Sequence, residues 1–100
     1  MNAKKGQPSP ERRKRRRVDA VLAQGQECQK RASDFRAGGQ RELANQQLER
    51  AIVHFSEAIR IDPQHSAAYV LRARAFEQKG DDDRAEADLA TAREINFDVS

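Results

Sequence analysis

The sequence contains little that could crosslink it or anchor it in a membrane. Among 100 residues there are one cysteine, no tryptophan, five glycines and three prolines. One cysteine cannot close an intramolecular disulfide, which excludes a disulfide scaffold. The longest moderately apolar stretch without charge, residues 51–56, is far shorter than the ~20 residues of a membrane helix. Scarce glycine and proline beside abundant Ala, Arg, Gln, Glu and Leu predict one small all-α domain, not a large enzyme.

Charge is divided unevenly along the chain, although the formal net charge is only +3. Residues 1–17 carry eight Lys or Arg against one Glu, whereas in the rest of the chain acidic residues outnumber basic ones. Residues 1–10 offer almost nothing apolar to bury, so we expect residues 1–17 to be a disordered basic tail. Its contiguous cations are Arg12, Arg13, Lys14, Arg15, Arg16 and Arg17.

This basic run has three interpretations. It resembles a single-cluster nuclear localisation signal, and the same charges would also contact a nucleic acid or an acidic protein. The third interpretation is a solvated tail that only aids solubility. No apolar stretch follows the run, as a secretory signal would require, so we expect an intracellular protein of the nucleus, the cytoplasm or both.

Residues 18–31 are predicted to form an N-terminal helix, which is either separate from or continuous with the next one. Apolar or small residues recur there at alternating spacings of three and four, which is typical of one helix face. They are Val18, Val21, Gly25, Cys28, Ala32 and Phe35. Because the seam is made of small residues, we expect it to dock on a larger body, with Cys28 as a small buried hydrophobe.

An internal repeat appears when the sequence is compared with itself at an offset of 34. The aligned pairs are Phe35 with Tyr69, Ala51 with Ala85, Phe55 with Leu89, Ala58 with Ala92 and Ile61 with Ile95. Breaks at residues 62–63 and 79–81 separate the apolar stripes. The pattern predicts two helix-turn-helix units, residues 32–65 and residues 66–98.

These units resemble the tetratricopeptide repeat family. Residues 50–63 look like the second helix of that repeat, and residues 68–76 with Gly80 and Asp81 look like its first helix and turn. The resemblance implies two antiparallel hairpins stacked in a short right-handed solenoid. One departure concerns the first unit, where Gln46 stands in place of the turn glycine that Gly80 supplies in the second.

The resemblance also implies a concave groove, lined by the first helix of each unit, that binds a peptide or helix of a partner protein. The corresponding positions are Ser33, Arg36, Ala37, Gln40 and Leu43 in the first unit and Ala67, Val70, Leu71, Arg74 and Gln78 in the second. We expect Arg36 and Arg74 to hold carboxylates and Leu71 to receive an apolar anchor. The alternative for both arginines is an ordinary solvated helix face.

Arg36 followed by Gly39 and Gln40 is similar to the residues with which co-chaperone repeats grip the C-terminal carboxylates of heat-shock chaperones. Leu71 departs from that pattern, which has Asn at this position. The leading hypothesis is therefore an adaptor or scaffold, with a co-chaperone-like binder as one alternative. A nucleic-acid-associated protein, in which the basic run is the main site, is the other.

The sequence predicts no catalytic residue, metal site or cofactor. His54 and His65 lack a metal-ligand spacing or a second cysteine. Residues 81–83 are three aspartates without the alternating ligands of a calcium loop, and they favour the start of the next helix instead. Because nothing covers the last predicted helix, we also expect marginal stability or self-association through the C-terminal end.

Overall fold

The computed structural model describes Gly6 and residues 8–99, apart from the side chains of the last two. Four helices follow one another: α1 (Pro10–Ala37), α2 (Arg41–Ile61), α3 (Ser66–Lys79) and α4 (Asp82–Val99). The all-α prediction is confirmed. Helix α1 packs on α2, α2 on α3, and α3 on α4, while α3 also touches α1. This order is that of two stacked helical hairpins.

Helix α1 begins well before the predicted start at Val18. Ser9 is its N-cap and accepts a hydrogen bond from the backbone N–H of Arg12 at 3.2 Å, and Pro10 and Glu11 occupy its first turn. A capping serine, a proline at the first position and an acidic first turn each favour a helix start. The disordered tail is therefore wrong for residues 10–17, while residues 1–5 and 7 lie outside the described residues.

The turn of the first hairpin also lies elsewhere than predicted. Helix α1 continues without a break to Ala37, and the chain reverses at Gly38, Gly39 and Gln40. Gly39 has φ +78°, a left-handed conformation that favours glycine. Gln46, which was predicted to stand in the turn, lies inside the continuous helix α2.

The core lies mainly between α1 and α2. Phe55 is fully buried, and a methyl group at Gly25 would overlap its ring, so the absence of a side chain on α1 makes room for the aromatic group. Cys28 is buried on the same face of α1, as predicted. The small residues expected to allow close helix packing are all buried: Ala51, Ala58, Ala73, Ala85 and Ala92.

Candidate functional site

A groove runs between the two first helices of the hairpins, α1 and α3. Its volume is about 550 Å³. Both helices contribute residues related by spacings of three and four, which places each set on one face. The α1–α3 groove is lined by Gln26, Gln29, Lys30 and Ser33 of α1 and by Leu71, Arg74, Glu77 and Gln78 of α3.

Two hydrogen bonds fix the spacing of the groove walls. The Gln29 side-chain amide donates to the backbone carbonyl of Leu71 at 3.3 Å, and the Arg36 guanidinium donates to the carbonyl of Gln78 at 2.6 Å. Both bonds span the same separation in sequence, so α1 and α3 run in the same direction. The walls are tied through the backbone of α3, which leaves the side chains of that wall available to a ligand.

The chemistry of the groove is amide-rich and mildly cationic. Lys30 and Arg74 are exposed and supply positive charge against one carboxylate, Glu77. Leu71 is half-buried and packs against the main core while it still lines the groove. The Gln78 side-chain oxygen is buried and has no hydrogen-bond partner in the described part of the chain. Such a surface suits a ligand that combines carboxylates, peptide groups and an apolar side chain.

The structure brings together only some of the predicted groove residues. Ser33, Leu71, Arg74 and Gln78 line the groove together. Arg36 stands beyond them, where it lines an adjoining cavity of about 400 Å³ with Arg41, Asn45, Glu77, Gln78, Lys79 and Gly80. Ala37, Ala67 and Val70 are not among the residues that line the groove.

Gln40 and Leu43, which were predicted to line the groove, lie outside it. Gln40 is the N-cap of α2, and Leu43 follows in the first turn of α2, where it is 38% exposed. The three residues that resemble the carboxylate-gripping positions of co-chaperone repeats are also separated in the structure. Arg36 lies in the last turn of α1 while Gly39 and Gln40 lie in the turn after it, so the three do not share a helix face.

Four groove residues were missed from the sequence, namely Gln26, Gln29, Lys30 and Glu77. The first three belong to the part of α1 that had been separated from the first repeat. The sequence does contain a signal that places these residues in the first repeat, because an offset of 41 superimposes Gly39 on Gly80. Aligning these two glycines, instead of Gln46 with Gly80, pairs Gly25 with Ser66 at the start of α3, so that Gln29 and Lys30 fall within the first repeat.

A partly buried ion pair stabilises the α3 side of the site. The Arg72 guanidinium makes two hydrogen bonds to the Asp88 carboxylate, at 2.7 and 2.8 Å, and a third to the Ser56 hydroxyl at 3.0 Å. The hydrogen bond to Asp88 raises the pKa of Arg72, against the opposing effect of burial. The guanidinium also lies over the rings of Tyr69 and Phe76. This cluster joins α2, α3 and α4, so it holds the groove-lining helix α3 in place.

The model of the tetratricopeptide repeat family matches residues 42–100, a range that includes α3, α4 and nearly all of α2. The chain belongs to this family. Tetratricopeptide repeats are protein-interaction modules that bind their partners on the concave face of the helical stack, and they are typically not catalytic. In this chain the first helices of the two hairpins, α1 and α3, line the α1–α3 groove. No curated protein and no solved structure shows significant similarity to the chain.

Other kinds of site receive no support from the part of the chain that the structure describes. No group of three His, Cys, Asp or Glu residues there could hold a metal ion. None of the described helices is long and apolar enough to cross a membrane. The Asp81 carboxylate accepts a hydrogen bond from the backbone N–H of Arg84 at 3.3 Å, so it caps the start of α4, as expected from the sequence.

Proposed function

We propose that this tetratricopeptide repeat module is an adaptor or scaffold that binds a peptide or helix of a partner protein in the α1–α3 groove. The observation that carries the proposal is the convergence of two helix faces on one open groove, tied through backbone carbonyls so that most lining side chains remain available. Grooves between helices are a recurring site for peptide recognition.

The charges of the groove favour a partner segment that contains carboxylates. Lys30 and Arg74 face the ligand from opposite walls, and Arg74 can grip a carboxylate with two parallel hydrogen bonds. Glu77 repels a second carboxylate placed beside it, which gives the groove a polarity. Leu71 offers the apolar contact that an anchoring side chain requires.

The test is a selection of peptides from a random display library against the full chain, followed by affinity measurements. Leu71→Ala is expected to weaken the selected peptides about tenfold or more, which corresponds to ~1.4 kcal/mol or more. The paired reversal Lys30→Glu and Arg74→Glu is expected to abolish binding of acidic peptides. The matched control is Arg50→Glu, which reverses an exposed charge on the outer face of α2. Equal binding to all variants would contradict the proposal.

Two further parts of the hypothesis concern other regions of the molecule. The basic residues 12–17 would supply nuclear or polyanion targeting, which a localisation assay with and without these charges tests.

Self-association through the C-terminal end also stays a prediction. Phe97 in α4 is 80% exposed, which is consistent with a contact there. Sedimentation over a hundredfold concentration range would distinguish a monomer from an associating chain.

A further inference from the structure

The basic residues 12–17 form the first turns of α1, and their side chains are all exposed. Six successive residues of a helix extend over more than one full turn, so cations point to every side of it. Val18 is the first fully buried residue of α1. The basic turns therefore precede the point at which α1 enters the core, and they are accessible from several directions.

One side of these turns gains a cation from a distant part of the chain. Arg60, in the last turn of α2, lines a cavity of about 450 Å³ together with Arg13, Lys14 and Arg17. We name these four residues the cationic flank. The Arg60 side chain is 66% exposed and pairs with Glu57 within α2. Arg60 and Arg17 both lower the pKa of Glu57, with the hydrogen bond from Arg60 as the main cause, so cations from both helices act on this one carboxylate.

A neighbouring side of the same turns carries more acidic than basic residues. There Lys14 and Arg15 line a smaller cavity of about 230 Å³ with three acidic residues, Glu11, Asp19 and Asp62. An anion approaching α1 is therefore repelled on that side and attracted on the cationic flank. The difference gives the basic turns a preferred binding side, which a flexible tail would not have.

The helix itself adds to the attraction. The N-terminus of a helix carries a partial positive charge, so six cations beside it are unfavourable and a bound anion is favourable. Ser9 and Glu11 offset this charge only in part. We therefore expect a bound polyanion to stabilise the first turns of α1 as well as to neutralise them.

The composition of the flank identifies the class of anion. Residues 10–17 present no aromatic side chain and no aliphatic side chain other than Pro10, and Ile61 alone adds an aliphatic group to the cavity, so the flank offers little apolar surface to a lipid interface and no aromatic ring on which bases could stack. Three of the four flank residues are arginines, whose planar guanidinium groups bind phosphate with two hydrogen bonds. A nucleic-acid duplex carries a charge about every 1.7 Å and can therefore engage cations from both helices.

We propose that the cationic flank, Arg13, Lys14, Arg17 and Arg60, binds the phosphate backbone of a nucleic-acid duplex without reading its base sequence. This inference does not depend on the α1–α3 groove. It goes beyond a basic tail, because Arg60 belongs to α2 and joins the flank only through the fold. Phosphate contacts of this kind position a protein but carry no sequence information.

The experiment measures fluorescence anisotropy of a labelled 20-base-pair DNA duplex titrated with the full chain at several salt concentrations. Each phosphate contact adds about 0.9 to the negative slope of log K against log salt, so four contacts predict a slope near −3.6. Arg60→Gln is expected to reduce the slope by up to about 0.9, because Glu57 already neutralises part of the Arg60 charge. The matched control Arg50→Gln, which removes the same charge from an exposed site on α2, should leave the slope unchanged.

Three results would overturn the proposal. The first is an equal effect of Arg60→Gln and Arg50→Gln, which would reduce the interaction to net charge. The second is competition by polyglutamate as effective as that by unlabelled duplex of equal charge, which would assign the flank to an acidic protein. The third is the absence of measurable binding at low salt, where the electrostatic attraction is strongest. Circular dichroism melts of each variant establish that the fold is retained.

Discussion

The two hairpins end their first helices with the same turn but differ in the lengths of the helices on either side of it. At the first turn, the backbone N–H groups of Gly39 and Gln40 donate to the carbonyls of Arg36 and Phe35, at 3.0 and 2.8 Å. At the second turn, Gly80 and Asp81 make the equivalent bonds at 2.9 and 2.8 Å. Yet α1 and α2 have 28 and 21 residues, whereas α3 and α4 have 14 and 18.

The difference in length is matched by a difference in what holds each hairpin together. The long hairpin, formed by α1 and α2, buries the aromatic ring of Phe55 in the space left by Gly25. The short hairpin, formed by α3 and α4, has a smaller apolar cluster, and it also contains the partly buried ion pair between Arg72 and Asp88. A short helix pair buries less apolar surface, so a well-formed polar contact takes a larger share in fixing its geometry.

The largest expected effect is loss of the Phe55 ring. Phe55→Ala should lower the free energy of unfolding by about 3–5 kcal/mol, because it removes a fully buried aromatic side chain and leaves a cavity. Chemical denaturation followed by circular dichroism measures this loss. A loss below about 1 kcal/mol would mean that the long hairpin does not depend on this contact.

The next largest loss of stability is expected when the ion pair of the short hairpin is removed. Asp88→Ala leaves the Arg72 guanidinium without its main partner and should cost about 2–3 kcal/mol, somewhat less than a fully buried pair because Arg72 keeps 22% exposure. Glu86→Ala is the matched control, since its pair with Arg93 is exposed on both sides. The control should change stability by less than about 0.5 kcal/mol. Equal losses of stability in Asp88→Ala and Glu86→Ala would mean that the ion pair of Asp88 does not stabilise the short hairpin.

The partner of Phe55 can be tested through a coupling energy. Gly25→Ala should cost about 1–3 kcal/mol in the native background, because the added methyl group overlaps the ring. In the Phe55→Ala background the same change should cost almost nothing, since the ring is gone. Additive losses in the double variant would show that the two residues do not pack as described.

The equivalence of the two turns predicts equal, smaller effects. Gly39→Ala and Gly80→Ala should each cost about 1–2 kcal/mol, because both glycines have positive φ and alanine is strained there. Gly38→Ala is the control, since Gly38 has φ −85° and room for a methyl group. A large loss of stability at only one of the two positive-φ glycines would mean that the two turns are not equivalent.

The smallest effect concerns the exposed pair at the end of α2. The hydrogen bond from Arg60 lowers the pKa of Glu57 below its ordinary value of 4.5, so the pair stabilises the fold above that pH. This contribution should fade as the pH falls below 4.5, through the lowered pKa. Melting curves recorded on either side of that pH should show a slightly flatter dependence for Glu57→Gln. An unchanged dependence would mean that the pair makes no contribution.

The sequence predicts the helical stripes well because helix faces repeat. The two possible offsets, 34 and 41, differ by seven, which is nearly two full helical turns. A residue and its neighbour seven positions away lie on almost the same face. Ala51, for example, aligns with Ala85 at one offset and with Ala92 at the other, and all three are buried.

The same ambiguity explains why the turn and half of the groove were misplaced. Period and face do not distinguish the two offsets, so Gln46 was aligned with Gly80 and the true turn at Gly39 was interpreted as groove sequence. Only the glycine with a left-handed backbone conformation distinguishes the two offsets, because it marks where a helix ends. Positions on α3 were assigned with fewer errors, since Gly80 marks the end of that helix directly. Arg72 and Asp88 were missed because a buried ion pair has no local sequence signal, although Asp88 does interrupt an alanine stripe.

The most direct test of the central claim maps the surface that a partner covers. The ¹⁵N-labelled full chain is titrated with a peptide from the display selection while backbone amide chemical shifts are recorded. Binding in the α1–α3 groove predicts that the shifts concentrate at residues 26–33 of α1 and residues 71–78 of α3. Shifts confined to the outer face of α2, at residues 46–53, with the groove unchanged, would contradict it.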